Sequence, residues 1–459
     1  MQSLLAIARL TFKAAFRFRL VPLLGLFLIG GVAVLPAVII HDGSARGLTQ
    51  IVLTYTLGLI TAVLGLATLW LACGTLARDI EECQIQMVAV KPVPRWKIWA
   101  GKWLGIMFVN LLLLGLSTAI VYGQLLWRAK SLSENQRIIL QNEVFIARGS
   151  LRPPVPDYES EVQRRAQERL KNERVAAMDR AEVVRIIRDQ VRAELSAVPP
   201  GWMRRWDIDM SHLKEQVRDQ FMFLRIKFLT PIPEDTKTYI GLWRIGPAGS
   251  PRQMVQELSQ AANTFHEIPL NPNLLDEQGK LTIEYANGSD SVLYFPLEEG
   301  IEVLYREGGF ALNYVRGVTI IFCWLALLAA VGLFAASFLA FPVAAFFSLA
   351  LLLVSFSTGT MTQVIEQGTI RAVDHETGQV GKANWFDEVT VLFFKGMYWT
   401  VQQVRDFSPI ESLSLGRSIT WGTLARAVAQ VVLLMGGLFA VFGIWIFERR
   451  ELAGEQGKA

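Results

Sequence analysis

Charge is scarce in this sequence, and the places where it gathers are the places where chemistry or force could act. One such place is the stretch from Asp79 to Trp103 (DIEECQIQMVAVKPVPRWKIWAGKW), which separates two long apolar runs. Asp79, Glu81 and Glu82 come first, followed by an apolar middle and then Lys91, Pro92, Pro94, Arg95, Lys97 and Lys102. Acids at the start favour a helix N-terminus, so a helix is expected from Gly74 to Val90. The prolines then turn the chain, and Trp96, Trp99 and Trp103 with Arg95, Lys97 and Lys102 anchor its return into the bilayer. The product is a short helix parallel to the membrane and joined to two spans, an element suited to passing force rather than to breaking bonds.

Bond-making chemistry has little to work with elsewhere. His41, His212, His266 and His375 lie in different segments, and a metal or catalytic site needs such groups to converge with carboxylates. Cys73, Cys83 and Cys323 all sit in or beside apolar runs, with no C-x-x-C spacing. No residue is expected to act as a catalyst, and no cofactor or metal is expected in this chain.

The elements that must position the charged stretch are apolar. The 459 residues are 52% hydrophobic and only 19% charged, below the roughly 25% of soluble domains, which indicates a membrane protein with a soluble part. A net charge of +4 on this length gives no footprint for nucleic acid. Spans of about 20 residues fit near 20–40, 51–74, 103–127, 316–336, 341–359 and 424–447. The fourth and fifth are nearly fused, and Ser337–Pro342 is the expected tight hairpin, with Pro342 in the first turn of the next helix. No cleavable signal is expected at the N-terminus.

Six spans place both termini on one side. Arg9, Lys13, Arg17 and Arg19 precede the first span, the Asp79–Trp103 stretch joins the second and third, and Arg449 and Arg450 follow the last. The positive-inside rule makes all of these cytoplasmic; the basic residues within 360–423 run against it. Residues 1–19 combine an apolar stripe with regularly spaced bases and are expected to form an interfacial helix on anionic lipid.

The segment 128–315 then falls outside the cytoplasm. Its part 157–198, rich in Glu, Arg and Ala with an apolar stripe, reads as helix, broken near Met178–Arg180. From about 221 to 312 short alternating runs with turn residues between them predict a β-sandwich. Asn287-Gly288-Ser289 is both a glycosylation sequon and a hairpin-turn signal, and is read as the turn. Trp202, Trp206, Tyr239, Trp243 and Tyr294 are read as β core, with a ligand face as the alternative. Residues 360–423, with the aromatic run Trp385–Val404, are expected to lie on or dip into the outer leaflet. Within the spans, Thr54, Tyr55, Thr56, Asn110, Ser117, Thr118, Ser355 and Gln430 are read as helix–helix contacts, with substrate contact the alternative.

Taken in order, Glu81-Glu82, the proline–basic turn Pro92-Val93-Pro94-Arg95, Gly101-Lys102 at the start of the third span and the terminal Phe447-Glu448-Arg449-Arg450-Glu451-Leu452 resemble the permease subunits of ABC-2-type exporters. The resemblance covers the interfacial helix, the spans and the outer re-entrant segment, and leaves 128–315 as an insertion. It implies a six-helix membrane fold with an added extracytoplasmic α+β domain, and a coupling helix at about 79–95 followed by a tail at 448–459. It further implies pairing with a second permease subunit, a bacterial inner-membrane location, and docking of a cytoplasmic P-loop ATPase that holds ATP and Mg. Asp79, Glu81, Glu82, Pro92, Pro94, Arg95 and Lys102 are the expected ATPase-coupling residues. Arg9, Lys13, Arg17 and Arg19 are the expected membrane-interface residues. The chain carries no G-x-x-x-x-G-K-[ST], so ATP hydrolysis is expected from a partner. The alternative is a membrane anchor whose β domain holds an envelope partner through 128–315 and transports nothing.

Overall fold

The computed structural model describes residues 2–17, 20–39, 44–82, 93–140, 144–171, 180–231, 237–356, 389–392, 394–396, 398, 401–402 and 407–450. The chain divides into two units, Met1–Ile146 with Gly309–Ala459, and Ala147–Gly308.

The first unit is helical. Its elements are α1 (Gln2–Arg17), α2 (Leu20–Val38), α3 (Ala45–Glu81), α4 (Arg95–Ala129) and the short α5 (Glu134–Ile139). Among the described residues four helices are long and apolar enough to cross a membrane: α3, α4, and two further helices at Phe310–Ala336 and Trp421–Arg449. Their surfaces agree with that reading, because large apolar side chains such as Leu433 and Val441 stand about two-thirds exposed, where water would penalise them. The remaining two expected spans are apolar helices of 19 and 16 residues, α2 and the Phe341–Phe356 helix.

α3 has 37 residues and α4 has 35, about 55 Å and 52 Å at 1.5 Å per residue. Both therefore exceed a hydrocarbon core of about 30 Å. The helix break expected at Gly74 is absent: the buried stripe Ala72, Leu76, Ala77 and Ile80 carries α3 straight through to Glu81. The acids thus fall in the last turn of a span rather than at the start of a separate helix, and 83–92, most of the expected coupling helix, lie outside the described residues.

The Phe310–Ala336 helix packs on both long helices, α3 and α4. Leu57, Ile60 and Leu64 of α3, Val109, Leu113 and Leu114 of α4, and Ile320, Ile321 and Leu325 of the Phe310–Ala336 helix share one core. Small residues set the separations. A Cβ on Gly332 would stand 2.6 Å from that of Ala72, and one on Gly105 would stand 2.6 Å from the Cβ of Thr11 and 2.7 Å from the Ala8 carbonyl. Gly101 and Gly105 therefore let α1 lie directly on α4.

The polar span residues split. The Thr56 hydroxyl donates to the Val52 carbonyl, and that of Thr118 to Leu114. The Thr68 hydroxyl lies 3.0 Å from Asn110 Oδ1, joining α3 to α4. Thr54 and Tyr55 are exposed and Ser117 is buried. Gln430 falls within the π-helical stretch Val428–Gly436 of the last span. At the end of the bundle where the Phe310–Ala336 helix starts, the Asn313 side chain donates to the Arg417 carbonyl and accepts from the Ile419 N–H. Those bonds hold the segment after the short helix Pro409–Ser414 against the bundle. Most of the expected outer-leaflet segment 360–423 lies outside the described residues, and the last span begins at Trp421 rather than 424.

Among the described residues the second unit carries ten strands with β1 at its boundary: β1 (Ile146–Leu151), β2 (Ala197–Val198), β3 (Met203–Asp209), β4 (Met222–Ile226), β5 (Thr238–Ile245), β6 (Met254–Ala261), β7 (His266–Leu270), β8 (Lys280–Asn287), β9 (Leu293–Tyr294) and β10 (Ile301–Gly309). They form four-stranded sheets of order β1-β10-β4-β7 and β3-β8-β5-β6, with β2-β9 as a separate pair. Alternation drives this: Leu224 and Ile226 of the first sheet and Trp243, Ile283 and Tyr285 of the second point into one shared core. The β region is wider than the expected 221–312. β1 and β3 precede it, hidden in the sequence by the arginines of IARGSL and MRRWDID.

Trp243 and Tyr239 are buried, Trp206 is partly buried against that core, and Trp202 is 67% exposed. Asn287 is 2% exposed, and its amide donates to the Val198 and Ser291 carbonyls while its oxygen accepts from Ser289. The expected Asn-Gly hairpin turn is not formed: Asn287 closes β8 paired with Gly241, neither it nor Gly288 holds a positive φ, and β8 pairs with β3 and β5 rather than with the next strand β9.

Two further helices, Glu159–Leu170 and Arg180–Ser196, pack through Val162, Ala166, Val183, Ile187 and Val191. Their connection includes residues 172–179, outside the described ones. Arg165 pairs with Glu194 at 2.8 Å and Arg188 with Glu159 at 2.8 Å. Hydrogen bonds from Arg164 and Arg165 hold the Glu161 carboxyl down to about 2.

A carboxylate depressed on folding contributes stability above its unfolded value, about 4.3, and loses it as pH falls through the folded one. The amide protection of the helix pair, corrected for intrinsic exchange, is therefore expected to fall progressively as pH drops from about 4 towards about 2, and Glu161→Gln to start from lower protection at neutral pH and to show a shallower fall. Gly105→Leu is expected to destabilise the α1–α4 packing by about 1–3 kcal/mol, read as a lowered thermal midpoint in detergent and faster proteolysis of α1.

Candidate functional site

The charged residues singled out in the sequence gather at one end of the helical unit. The last turns of α3 supply Thr75, Arg78, Asp79 and Glu81, and the first turns of α4 supply Arg95 and Lys102. Thr75 and Asp79 are four residues apart, so they share one face of α3. Lys102, 6% exposed, projects at that face. Its ammonium donates to the Thr75 carbonyl and to Asp79 Oδ2, each at 2.5 Å. An ammonium this buried needs such partners, since desolvation would otherwise drive it out.

Arg95 works on a different helix. Its Nη1 lies 2.8 Å from the carbonyls of Phe447, Glu448 and Arg450, where the last span leaves its terminal carbonyls without helical partners. A cation at a helix C-terminus is also favoured by the helix dipole. Glu81 does the converse. Its Oε1 accepts from the Phe341 N–H at 2.7 Å, placing a carboxylate at the N-terminus of the Phe341–Phe356 helix. Arg78 lies 4.3 Å from the Phe341 ring centroid, and Arg450 donates to the Ser337 carbonyl at 3.3 Å.

The site is therefore an interlock. Asp79, Glu81, Arg95 and Lys102 bind α3, α4, the Phe341–Phe356 helix and the end of the last span to one another. Glu82 is the C-cap of α3, and its N–H donates to the Arg78 carbonyl. Pro94 is the N-cap of α4. Pro92 lies outside the described residues. Thr75, Arg78, Ser337 and Phe341 belong to the interlock and escaped the sequence reading. The cap on Phe341 joins positions 260 residues apart, and no local pattern announces such a pairing.

On α1, Ala8, Thr11 and Ala15 are buried, while Arg9, Lys13 and Arg17 are exposed on the other side with Leu5 and Leu10. Arg19 lies outside the described residues. Among the described residues no group of three His, Cys, Asp or Glu side chains is placed to hold a metal ion. His266 instead lies 2.8 Å from the Ala261 carbonyl and stacks on Phe228.

Compared with known proteins, the chain matches no family model, no curated protein and no solved structure.

Removing Asp79 alone strands a buried ammonium, whereas removing both partners does not. Asp79→Ala is expected to cost about 2 kcal/mol, the lower part of the range because Asp79 is partly exposed. Asp79→Ala with Lys102→Met is expected to recover most of that loss. A double-mutant cycle on detergent unfolding midpoints checks this; additive losses would contradict it.

Proposed function

We propose that the chain is the permease subunit of an ATP-driven exporter of the ABC-2 kind. In this reading α2 and the Phe341–Phe356 helix join the four long helices as spans, giving six, with both termini in the cytoplasm of a bacterium and the spans in its inner membrane. The unit Ala147–Gly308 stands outside, its two sheets forming a β-sandwich. A second permease completes the translocation path, and separate cytoplasmic P-loop ATPases hold ATP and Mg. The chain itself makes and breaks no bond.

One observation carries the reading: the charged residues flanking the span-two to span-three connection are fastened to the ends of two other spans. A push on that connection is delivered through Glu81 to the Phe341–Phe356 helix and through Arg95 to the end of the last span. Coupling of ATPase closure to helix movement requires a stiff linkage of this kind. α1, with its bases outward, is suited to rest on anionic headgroups.

The same observation also supports a static membrane anchor that holds an envelope partner, because Asp79, Glu81, Arg95 and Lys102 find partners within the chain. The two readings part on ATPase association. Purification in mild detergent from the native host is expected to bring down a stoichiometric P-loop ATPase. Arg95→Ala should keep that association while lowering permease-stimulated ATP turnover roughly tenfold, about 1.4 kcal/mol in the coupled step. Absence of any associated ATPase would favour the anchor.

A further inference from the structure

The β-sheet unit contains a cleft of about 1250 Å³, larger than the 300–1,000 Å³ of sites for compact small molecules. Three walls surround it. One is the short helix Lys214–Val217 with Arg218 and Asp219 in the turn after it, the second is the β5–β6 connection with Pro251 and Arg252, and the third is the chain after β7, with Asn273, Asp276 and Glu277. Tight turns shape the walls, with Gly246, Gly249 and Asn273 at positive φ, and the Lys214 ammonium bridges the first and third walls by donating to the Glu277 carbonyl at 2.7 Å. Met222, Met254 and Leu275 give the cleft apolar patches between the charges.

The lining discriminates between ligand classes. No aromatic side chain lines the cleft, so it offers no stacking platform for sugar rings or bases. Cations and anions alternate around it, which gives no net attraction to a polyanion and no continuous apolar wall for an acyl chain. An extended polypeptide with side chains of both signs fits such a rim. The fold supplies a second, separate feature pointing the same way. β6 and β7 are each last in their sheets, β6 begins in the cleft at Met254, and β7 ends where Asn271 enters it. Sheet edges offer backbone groups to an added strand.

We propose that this cleft binds an extended, mixed-charge polypeptide segment, held by the charged rim and by the bordering edge strands. The proposal gives the outer unit of the preceding reading its partner class, yet it needs neither ATPase coupling nor transport, so each can fail without the other.

The test uses the full-length protein in detergent and a fluorescently labelled library of short synthetic peptides, with dextran oligosaccharides and anionic phospholipid vesicles as competing probes. A subset of peptides is expected to bind. Binding should weaken roughly tenfold in Arg218→Glu and in Arg252→Glu, two exposed positions on different walls, and stay unchanged in Arg205→Ala on the distant edge strand β3. Matching thermal midpoints establish that the variants are folded. No binding pool, equal binding by both cleft variants, or capture of oligosaccharide or vesicle in place of peptide would overturn the proposal.

Discussion

A buried ammonium sets the terms for one end of this molecule. Lys102 is drawn between two long helices at a depth where an unpartnered charge would be expelled. Asp79 and the Thr75 carbonyl make its position tolerable, and in doing so they fix how α3 and α4 meet. Everything else at that end is arranged around the resulting pair. Glu81, one turn-fraction beyond Asp79, is left facing the start of the Phe341–Phe356 helix, and Arg95, two turns before Lys102, faces the end of the last span. The helix dipoles supply matching ends for both charges. Four helical segments are thus joined by polar contacts where the apolar core, which is non-directional, could not specify their mutual position.

Close approach of backbones is the other constraint. Gly101 and Gly105 bring α1 onto α4, and Gly332 brings the Phe310–Ala336 helix onto α3. In a lipid environment packing of this kind, rather than exclusion of water, holds helices together. Glycine spacing and the charged interlock act on the same helices, so the first turns of α4 are held by α1 through Gly101 and Gly105 and by Asp79 through Lys102. A helix so held transmits displacement instead of absorbing it, and that property is what the exporter reading requires.

Much of this was legible in the residues, and the limits have physical causes. Long uncharged runs announced the four spanning helices because length and hydropathy are local properties. The Ser337–Pro342 hairpin was readable for the same reason: proline fits only the opening of the next helix, and it stands there as the second residue of that element. Asn287-Gly288 signals a hairpin turn that does not form, because the Asn287 amide is instead held at the end of β8 by the Val198 and Ser291 carbonyls. The charged stretch was recognised as a unit, but its roles were not, since Glu81 and Arg95 find partners 260 and 352 positions away. Dipole logic places acids at a helix start, whereas an unbroken buried stripe carries α3 past them. β1 and β3 are hard to read because Arg148 is buried on its sheet and Arg204 shares the inward face of β3 with Trp206 and Ile208, so a charge stands where alternation calls for an apolar residue.

The central claim is that the start of α4 and the start of the Phe341–Phe356 helix move as one body when an ATPase acts. Pulsed electron–electron resonance tests it with spin labels at Trp96→Cys and Val343→Cys, both exposed positions, in a background lacking Cys83 and with the ATPase partner assembled. On adding a non-hydrolysable ATP analogue, the distance between the two Trp96→Cys labels of a permease pair is predicted to shift, while the distance from 96 to 343 within one chain stays fixed. An unmoved 96–96 distance, or a 96–343 distance that changes with nucleotide, would contradict the account.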